Sequence, residues 1–150
     1  MSSNNEKIII YTDGGSRGNP GPAAFGVVFC DVHGKTLKSY GKALGVRTNN
    51  EAEYEGVVFA LQKAKAMLGG EKIKKIEFEI RSDSELVVSQ LSGEYKIENE
   101  KLQPLFMKIW NLKIDFGSVK FTHVPREKNR EADRLVNEAL DKEQTNLFGE

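Results

Sequence analysis

The sequence predicts an α/β fold, built on a single five-stranded mixed sheet with flanking helices. The first third of the chain has three strand-like segments in succession, which are typical of an antiparallel meander. Strands then alternate with helices, and this order implies parallel crossovers added to the same sheet. With 150 residues and 39% hydrophobic content, the chain can bury one sizeable core and is expected to be a single domain.

Three strands make up the predicted meander. Residues 8–11, Ile-Ile-Ile-Tyr, form a β-branched apolar run without polar alternation, which indicates a strand buried on both faces. The turn residues Asn19-Pro20-Gly21-Pro22 separate this strand from two more, at residues 24–32 and 35–44. Those two are joined at His33-Gly34, a connection short enough for an antiparallel hairpin. The first strand is therefore expected at the centre of the sheet.

The remaining elements follow from a change to helical spacing at Thr48. Thr48 and Glu51 have the spacing of a capping box, and an apolar stripe then runs to Gly69-Gly70, so a long helix is predicted here. Strands are predicted at residues 76–80 and 116–124, and helices at residues 86–91, 102–110 and 132–140. The predicted order is βββαβααβα, and Trp110, on an apolar helical stripe, is expected in the core.

Four acidic residues occupy positions that would aim their side chains at one point. Asp83 ends a predicted parallel strand, and the carboxyl ends of such strands lie beside the active crevice of mixed sheets. Asp13 follows the central strand, while Glu53 and Asp133 each border the apolar stripe of a helix. Like charges at short range repel and raise each other's pKa, so a fold that gathers them does so for hard cations. The four acids therefore predict a metal-dependent enzyme.

Each acid taken alone also has a structural explanation. Asp13 before two glycines suits a turn, and Asp83 suits a helix N-cap. Asp133, in the first turn of a helix, complements the helix dipole. These explanations do not account for a buried central strand that ends in an acid, or for Glu53 beside an apolar stripe. A joint metal-binding role explains all four.

The four acids lie in four longer motifs, which are residues 12–26 (Thr-Asp-Gly-Gly-Ser-Arg-Gly-Asn-Pro-Gly-Pro-Ala-Ala-Phe-Gly), 48–53 (Thr-Asn-Asn-Glu-Ala-Glu), 82–84 (Ser-Asp-Ser) and 129–135 (Asn-Arg-Glu-Ala-Asp-Arg-Leu). In order and spacing, these motifs resemble the type 1 ribonuclease H family, in its short form without a basic protrusion. The resemblance covers residues 7–141. It implies a ribonuclease H-like fold and an endonuclease that hydrolyses the RNA strand of RNA–DNA hybrids. The catalytic, metal-binding carboxylates would be Asp13, Glu53, Asp83 and Asp133.

The residue types suit the chemistry that this resemblance implies. Two Mg²⁺ ions can hold the attacking water and the leaving 3′-oxygen of an in-line displacement, which leaves 5′-phosphate and 3′-hydroxyl ends. No nucleophilic side chain is needed. Oxygen-only ligands favour Mg²⁺, for which Mn²⁺ can substitute, whereas two His and one Cys far apart serve zinc poorly. Two Mg²⁺ ions, bound together with substrate, are the expected cofactors.

Substrate contacts are expected from short polar side chains and glycine backbone, because a hybrid is recognised through its 2′-hydroxyls and groove shape. By the resemblance, the loop from Gly14 to Asn19 and the pair Asn49-Asn50 line the minor groove. Thr48 would help to seat a phosphate of the DNA strand. Turn and cap chemistry is the alternative for Asn19 and Asn50. The full set of predicted contacts is Gly14, Gly15, Ser16, Asn19, Thr48, Asn49, Asn50, Ser84, Arg126 and Asn129.

One departure from the family pattern concerns the loop between the last strand and the last helix. Many members carry a histidine there, credited with aiding water activation or product departure, whereas this chain has Pro125-Arg126-Glu127-Lys128. Arg126 is therefore the candidate to contact phosphate near the metals. His123 lies within the predicted strand and is expected to be structural or to face the groove.

Composition limits the partners and the compartment. The 22 basic and 22 acidic side chains cancel, which argues against binding nucleic acid through bulk charge. Affinity for the hybrid should be modest and salt-sensitive. Cys30 is the single cysteine, and no apolar run approaches the ~18 residues of a membrane-spanning helix. A cytoplasmic monomer without a membrane partner is expected.

Residues 144–148, Gln-Thr-Asn-Leu-Phe, resemble the Gln-x-x-Leu-Phe peptide by which bacterial replication proteins dock on the sliding clamp. The prediction is a ribonuclease H domain at residues 1–143 and a clamp-binding tail at residues 144–150. The clamp contacts would be Gln144, Leu147 and Phe148. The alternatives are that Leu147 and Phe148 pack back onto the core or are disordered.

Two other functional classes remain open on the sequence alone. The first is another metal-dependent phosphoryl-transfer enzyme that uses the same acidic sheet on double-stranded RNA or DNA, because one fold hosts many activities. The second is a non-catalytic module that binds hybrids. A module of that kind requires a lost carboxylate, whereas all four acids are present.

Overall fold

The computed structural model describes the backbone of residues 6–147 and the side chains of residues 6–145. Its strands are β1 (Lys7–Ser16), β2 (Gly21–Cys30), β3 (Thr36–Arg47), β4 (Glu77–Ser82) and β5 (Ser118–His123). They form one sheet in the order β3-β2-β1-β4-β5. β1 pairs antiparallel with β2 and parallel with β4, and β4 pairs parallel with β5. The predicted mixed sheet with a central first strand is confirmed.

The helices are α1 (Asn49–Leu68), α2 (Gly70–Ile73), α3 (Glu85–Leu91), α4 (Gln103–Ile114) and α5 (Arg130–Leu147), with a 3-10 turn at Arg126–Lys128. The predicted order of strands and longer helices is confirmed. α2 and the 3-10 turn are additions, because elements of one turn are too short to show a helical period in the sequence. Within residues 6–147, every helix is too short or too polar to cross a bilayer.

The helices lie on both faces of the sheet. Neighbouring residues of a strand point to opposite faces, and on β1 Ile10 belongs to the core cluster that contains Leu61 of α1. Ile9 instead packs with Ala132 and Leu135 of α5. α1, α3 and α4 thus share one face, whereas α5 lies on the other, over β1, β2 and β3.

β1 is longer than the sequence predicts, and Asp13 lies within it rather than after it. Antiparallel pairing with β2 continues through Asp13↔Gly26 to Ser16↔Ala23, so the strand does not turn at Gly14-Gly15. The backbone hydrogen bonds to β2 outweigh the turn preference of these glycines. The turn explanation of Asp13 is therefore wrong, and the position of its carboxylate is fixed by the sheet.

Trp110 is not in the core, contrary to the sequence expectation. It is 51% exposed, Met107 and Ile114 are exposed as well, and the buried residue of α4 is Ile109. α4 has more apolar residues than one helix face can bury, so the stripe that includes Ile109 turns inward and its neighbours remain in solvent. Trp110 stacks on Phe106, with 6.3 Å between the ring centroids.

α5 continues through Leu147, beyond the apolar face that ends at Leu140. Residues 141–145 are exposed along this extension. The predicted boundary between domain and tail therefore falls within a helix. Phe148 lies outside the described residues, as does the side chain of Leu147, so their clamp contacts stay predictions.

Candidate active site

Four acidic side chains converge at the end of the sheet where β1 and β4 run in parallel. Asp13 lies on β1, Glu53 on α1, Asp83 directly after β4, and Asp133 in the first turn of α5. Carboxylate oxygens of Asp13, Glu53 and Asp83 all lie within 4.8 Å of one another, an arrangement that could hold a metal ion. Asp133 lines the same cavity and interacts electrostatically with Asp13 and Asp83. The structure therefore brings the four predicted carboxylates together.

A glycine allows α1 to approach β1 closely enough to bring Glu53 to Asp13. A Cβ atom at Gly14 would lie 2.4 Å from the carbonyl carbon of Ala52 and from the amide nitrogen of Glu53. Any other residue would push the helix away from the strand. The Gly14 amide also donates to Asp13 Oδ1 at 2.9 Å. Gly14 thus has a packing role that is independent of its predicted substrate contact.

The predicted capping box fixes the start of α1. The Thr48 hydroxyl accepts from the Glu51 amide at 3.1 Å, and the Glu51 carboxylate accepts from the Thr48 amide at 2.8 Å. Residues two apart on a helix are separated by ~200°, so Glu51 serves the cap while Glu53 faces the sheet. The Thr48 hydroxyl is engaged in this cap.

A second glycine and a buried asparagine place the start of α5 against the same strand. Gly26, the β2 partner of Asp13, lies under the helix, and a Cβ atom there would be 2.2 Å from the carbonyl oxygen of Ala132. Asn129 is 1% exposed and donates from Nδ2 to the Thr12 carbonyl at 2.8 Å. Asn129 thus ties the start of α5 to β1, and its substrate contact stays a prediction.

Asp83 is positioned by the turn between β4 and α3. Ser84, not Asp83, caps α3, because its hydroxyl accepts from the Val87 amide at 3.3 Å. The Ser84 amide in turn donates to the Ser82 hydroxyl at 3.1 Å. The N-cap explanation of Asp83 is therefore wrong, and its carboxylate faces the other acids.

Burial and mutual repulsion make the ionised carboxylates costly. Burial, together with the charges of Asp83 and Asp133, raises the pKa of Asp13 to about 8. Burial also raises the pKa of Glu53 well above its usual range, with further contributions from Asp13 and Asp83. A bound divalent cation would remove this cost, since it favours the ionised form of each ligand.

Two basic groups approach Asp83 from the β5 side of the site. Arg126 lies in the 3-10 turn and lines the cavity, while His123 ends β5 and is exposed. Burial raises the pKa of Asp83, and the charges of Arg126 and, less strongly, His123 oppose that shift. Arg126 therefore lies near enough to the acids to meet a phosphate bound over them.

The loop after β1 is fastened to the start of α1 by side chains that were predicted to contact substrate. Asn49 Oδ1 accepts from both the amide and the hydroxyl of Ser16, at 2.8 and 3.1 Å. Asn19 Oδ1 accepts from the Asn49 amide at 2.9 Å. These bonds hold the loop and the helix start as one unit beside the carboxylates.

A cavity of about 480 Å³ lies over the acids. The predicted contacts that line it are Gly14, Gly15, Ser16, Asn49, Ser84 and Arg126. Four others are not in the lining that the described residues form: Asn19, Thr48, Asn50 and Asn129. Asn19 serves the loop through its bond to Asn49, which is the turn chemistry that the sequence left open for it.

Four residues of this lining are not among the predicted substrate contacts: Arg17, Val136, Asn137 and Leu140. The last three follow Asp133 at spacings of three, four and seven residues, so they share one side of α5. The same alignment is visible in the sequence, where it places Asp133 at the edge of the apolar face of this helix. Arg17 lies in the loop from Gly14 to Asn19, which is predicted to line the minor groove, but its place against α5 depends on how that loop folds.

Comparison with known proteins gives one consistent family. The Reverse transcriptase-like family model matches residues 11–139. Ribonuclease HI of Halobacterium salinarum is 41% identical over 135 residues, which cover 90% of this chain and 65% of that protein. A bifunctional protein of Mycobacterium tuberculosis is 40% identical over 136 residues, which cover 90% of this chain and 36% of that protein. The chain thus spans about a third to two thirds of the length of these relatives.

Solved structures agree with the sequence comparison. LC11-RNase H1, isolated from compost by a metagenomic approach, is 49% identical and superimposes with a TM-score of 0.87, over 92% of this chain and 98% of that one. The same protein in complex with an RNA/DNA hybrid is 48% identical with a TM-score of 0.86, over 91% of this chain and 99% of that one. The family model over residues 11–139, together with the similarity in sequence and fold to RNase H1 structures, shows that the chain belongs to the type 1 ribonuclease H family.

Proposed function

We propose that this chain is a metal-dependent endonuclease that hydrolyses the RNA strand of RNA–DNA hybrids. The observation that carries the proposal is the convergence of Asp13, Glu53 and Asp83 within 4.8 Å of one another, with Asp133 in the same cavity. Further support comes from LC11-RNase H1, whose complex contains an RNA/DNA hybrid, and from the archaeal relative named ribonuclease HI.

The donor set fits hard divalent cations. The candidate ligand atoms are all carboxylate oxygens, which Mg²⁺ and Mn²⁺ prefer. Because burial and neighbouring acids raise the pKa of Asp13 to about 8, its ionised form at neutral pH needs a positive partner. The assigned ligands are Asp13, Glu53, Asp83 and Asp133. Two bound Mg²⁺ ions would supply activation of water and stabilisation of the departing 3′-oxygen.

No side chain in the described lining is arranged as a nucleophile. The hydroxyls there belong to Ser16, which donates to Asn49 Oδ1, and to Ser84, which caps α3. The same lining has no His or Lys that could activate them. Water is therefore the proposed nucleophile. Its oxygen bonds to phosphorus and gives up a proton to solvent, while the bond between phosphorus and the 3′-oxygen breaks. The 3′-oxygen keeps the electron pair of that bond and takes a proton from solvent. The products carry 5′-phosphate and 3′-hydroxyl ends.

The polar loop beside the acids is assigned to the substrate. Gly15, Ser16 and Asn49 line the cavity, and the bonds between Ser16 and Asn49 hold their polar groups in place before binding. A 2′-hydroxyl both donates and accepts hydrogen bonds, so backbone amides, hydroxyls and side-chain amides are suitable partners for the RNA strand. Arg126 is assigned to a phosphate near the acids, as a charge-assisted contact.

The proposal is tested by incubating the protein with a labelled RNA–DNA hybrid, and with the matching RNA and DNA duplexes, in Mg²⁺ and in Mn²⁺. We expect cleavage of the RNA strand of the hybrid alone, with the end groups given above. Comparable cleavage of either matched duplex would favour a broader phosphoryl-transfer enzyme. Binding of the hybrid without cleavage would favour a binding module.

We further propose that residues 144–148 dock on a replication sliding clamp. Residues 141–145 of α5 are exposed, so Gln144 is accessible to a partner. Leu147 and Phe148 would fill an apolar pocket while Gln144 makes the polar contact. A fluorescent peptide spanning residues 141–150 should bind a bacterial clamp, and the Leu147→Ala/Phe148→Ala peptide should not. Absence of binding at ~100 μM, about −5.5 kcal/mol, would remove the clamp from the partners.

A further inference from the structure

Arg17 lines the cavity of the four acids but has no part in the chemistry above. It follows Ser16 in the loop after β1, and the described lining contains one other basic residue, Arg126. Arg17 Nη2 lies 2.8 Å from Asp141 Oδ1 and 3.4 Å from Asn137 Oδ1, both on α5. A guanidinium is a planar group whose paired donors match the oxygens of a phosphate. Arg17 therefore has the chemistry of a phosphate contact at the edge of the site.

The residues that hold Arg17 stand in one row with Asp133. Asp133, Asn137 and Asp141 are four residues apart, so they lie one above another on the same side of α5, and Asn137 Nδ2 donates to the Asp133 carbonyl at 3.1 Å. At ~1.5 Å per residue, Asp141 lies ~12 Å from Asp133 along the helix axis. A nucleic-acid strand advances ~3.4 Å per nucleotide. A strand cleaved at the acids would therefore pass Arg17 roughly two to four nucleotides away.

The ion pair between Arg17 and Asp141 is weak enough for a backbone phosphate to replace Asp141 as the partner of Arg17. Their side chains are 40% and 68% exposed, and exposed ion pairs contribute little because water competes with them. Asp141 also places a negative charge at the edge of the cavity, where it repels a polyanion. Entry of a backbone phosphate would replace a weak contact of Arg17 by a stronger one, since the phosphate brings more charge and two aligned acceptors.

We propose that Arg17 contacts a backbone phosphate of the bound hybrid beside the cleavage site, and that Asp141 weakens binding by competing for the same guanidinium. The inference rests on the proposed function, because it adds a contact to that site. The alternative is that the pair only ties the loop to α5. The two accounts predict different signs for the change in hybrid Kd. If the pair only ties the loop to α5, loss of Arg17 and loss of Asp141 change Kd in the same direction. If Arg17 contacts a phosphate and Asp141 competes for it, the two losses change Kd in opposite directions.

The test measures binding of a labelled RNA–DNA hybrid in an Asp13→Asn background, which prevents cleavage, at several salt concentrations. Arg17→Ala should raise Kd about five- to tenfold and lower the slope of log Kd against log salt by about one. Asp141→Asn should lower Kd about two- to fivefold, since it removes the competitor. The matched control is Glu138→Gln, which removes one negative charge from the same helix at a residue paired with Arg134. Its effect on Kd should be smaller than that of Asp141→Asn.

Shifts of Kd in the same direction for Arg17→Ala and Asp141→Asn, or no shift in either, would overturn the inference. So would an equal decrease of Kd in Glu138→Gln and Asp141→Asn, because bulk charge would then explain the gain. Cleavage of the hybrid by the otherwise unaltered protein is measured separately and decides the proposed function. If the protein cleaves hybrids but Arg17→Ala and Asp141→Asn shift Kd in the same direction, the proposed function stands and the proposed role of Arg17 does not.

Discussion

Asp13 interacts with every other acid of the site, and its substitution is the most direct test of the chemistry. We expect Asp13→Asn to lower Mg²⁺-dependent turnover of the hybrid by at least ~100-fold, because it replaces a charged carboxylate ligand of the proposed metal centre by a neutral amide. Hybrid Kd should change little, since the loop after β1 is untouched. Single-turnover cleavage with excess enzyme and a binding titration measure the two effects.

The matched control is Asp115→Asn, which removes the same charge at an exposed ion pair with Lys65, outside the described lining of the cavity. This variant should cleave at close to the normal rate. Retention of a tenth of normal turnover by Asp13→Asn in Mg²⁺ would remove Asp13 from the metal site.

The raised pKa of Asp13 also predicts how the metal-free protein responds to pH. A group whose folded-state pKa is raised contributes stability that is fully present below its unfolded pKa and is lost as pH rises through the folded value. For Asp13 that interval runs from 3.8 to about 8. In metal chelator, Asp13→Asn should therefore be more stable than the parent at pH 8, by ~1–2 kcal/mol, and the difference should shrink towards pH 4.

Thermal melts of both proteins across this pH interval measure the difference. Mg²⁺ should reduce it, because the cation stabilises the ionised form in the parent. A clearly lower melting temperature for Asp13→Asn at pH 8 in chelator would contradict a repulsive cluster.

At the residue scale, the sequence alone predicts the positions of groups that lie at the ends of elements, but not the positions of groups that depend on packing. Asp83 and Glu53 follow from where a strand ends and which side of a helix is apolar. For Asn129, the sequence does not show that its amide is buried against the Thr12 carbonyl. The contact of Arg17 with Asp141 cannot be predicted, because the two residues are far apart along the chain.

At the scale of elements, the site depends on how closely two helices approach β1 and β2. We expect Gly26→Ala to destabilise the protein by ~3 kcal/mol, because its Cβ would lie 2.2 Å from the backbone oxygen of Ala132 and α5 must move. Cleavage should fall even under conditions where the variant is fully folded, since α5 carries Asp133 away from Asp13. Denaturant unfolding and cleavage at low temperature measure the two effects separately.

Gly70→Ala is the matched control for Gly26→Ala, because nothing lies within 4 Å of a Cβ at Gly70. Its effect on stability should stay within ~0.5 kcal/mol. If Gly26→Ala proved equally mild and fully active, the helix position would not depend on this contact.

The extension of α5 gives a second prediction at this scale. Deletion of residues 144–150 should leave the melting temperature and hybrid cleavage nearly unchanged, since residues 141–145 are exposed and Asp141 is retained. The same deletion should abolish any binding to a sliding clamp. A loss of more than ~1 kcal/mol on deletion would show that the end of the chain packs on the core.

Element boundaries could be predicted where a local rule applies and not where tertiary contacts decide. The capping box of Thr48 and Glu51 is a local rule, and it predicts the start of α1 correctly. The length of β1 depends on its pairing with β2. The sequence does not reveal this pairing, because Gly14-Gly15 favour a turn. The prediction of Trp110 in the core is wrong because periodicity identifies an apolar stripe but not how much of it a neighbouring element covers.

At the scale of the whole molecule, the sheet is covered unequally. α5 packs on β1, β2 and β3, which leaves the same face of β4 and β5 without a helix in the described part of the chain. Glu79 and Arg81 of β4 point to this face with Tyr11 of β1, because residues two apart on a strand share a face and Tyr11 pairs with Arg81. Arg81 donates to Glu79 at 3.1 Å and to the Tyr11 hydroxyl at 2.8 Å. A hydrogen-bonded ionic network thus takes the place of a packed helix.

Glu79 is the most buried member of this network, at 6% exposure, and Lys7 Nζ lies 3.0 Å from its carboxylate. Burial alone would raise the pKa of Glu79. Hydrogen bonds from Arg81 and Lys7 outweigh burial and lower the pKa to about 2. The ionised carboxylate is therefore stabilised by folding.

A depressed folded-state pKa contributes stability that is present above the unfolded pKa and is lost as pH falls through the folded value. For Glu79 this interval runs from 4.5 down to about 2. Glu79→Gln should therefore cost ~2–3 kcal/mol at pH 7, where it leaves the Arg81 charge without its partner, and the cost should disappear as pH approaches 2. Glu77→Gln, on the same strand at an exposed position, should cost little at any pH. Denaturant unfolding of both variants and the parent between pH 2 and 7 gives the comparison. A cost for Glu79→Gln that did not change with pH would mean that shape, not charge, holds this open face of the sheet together.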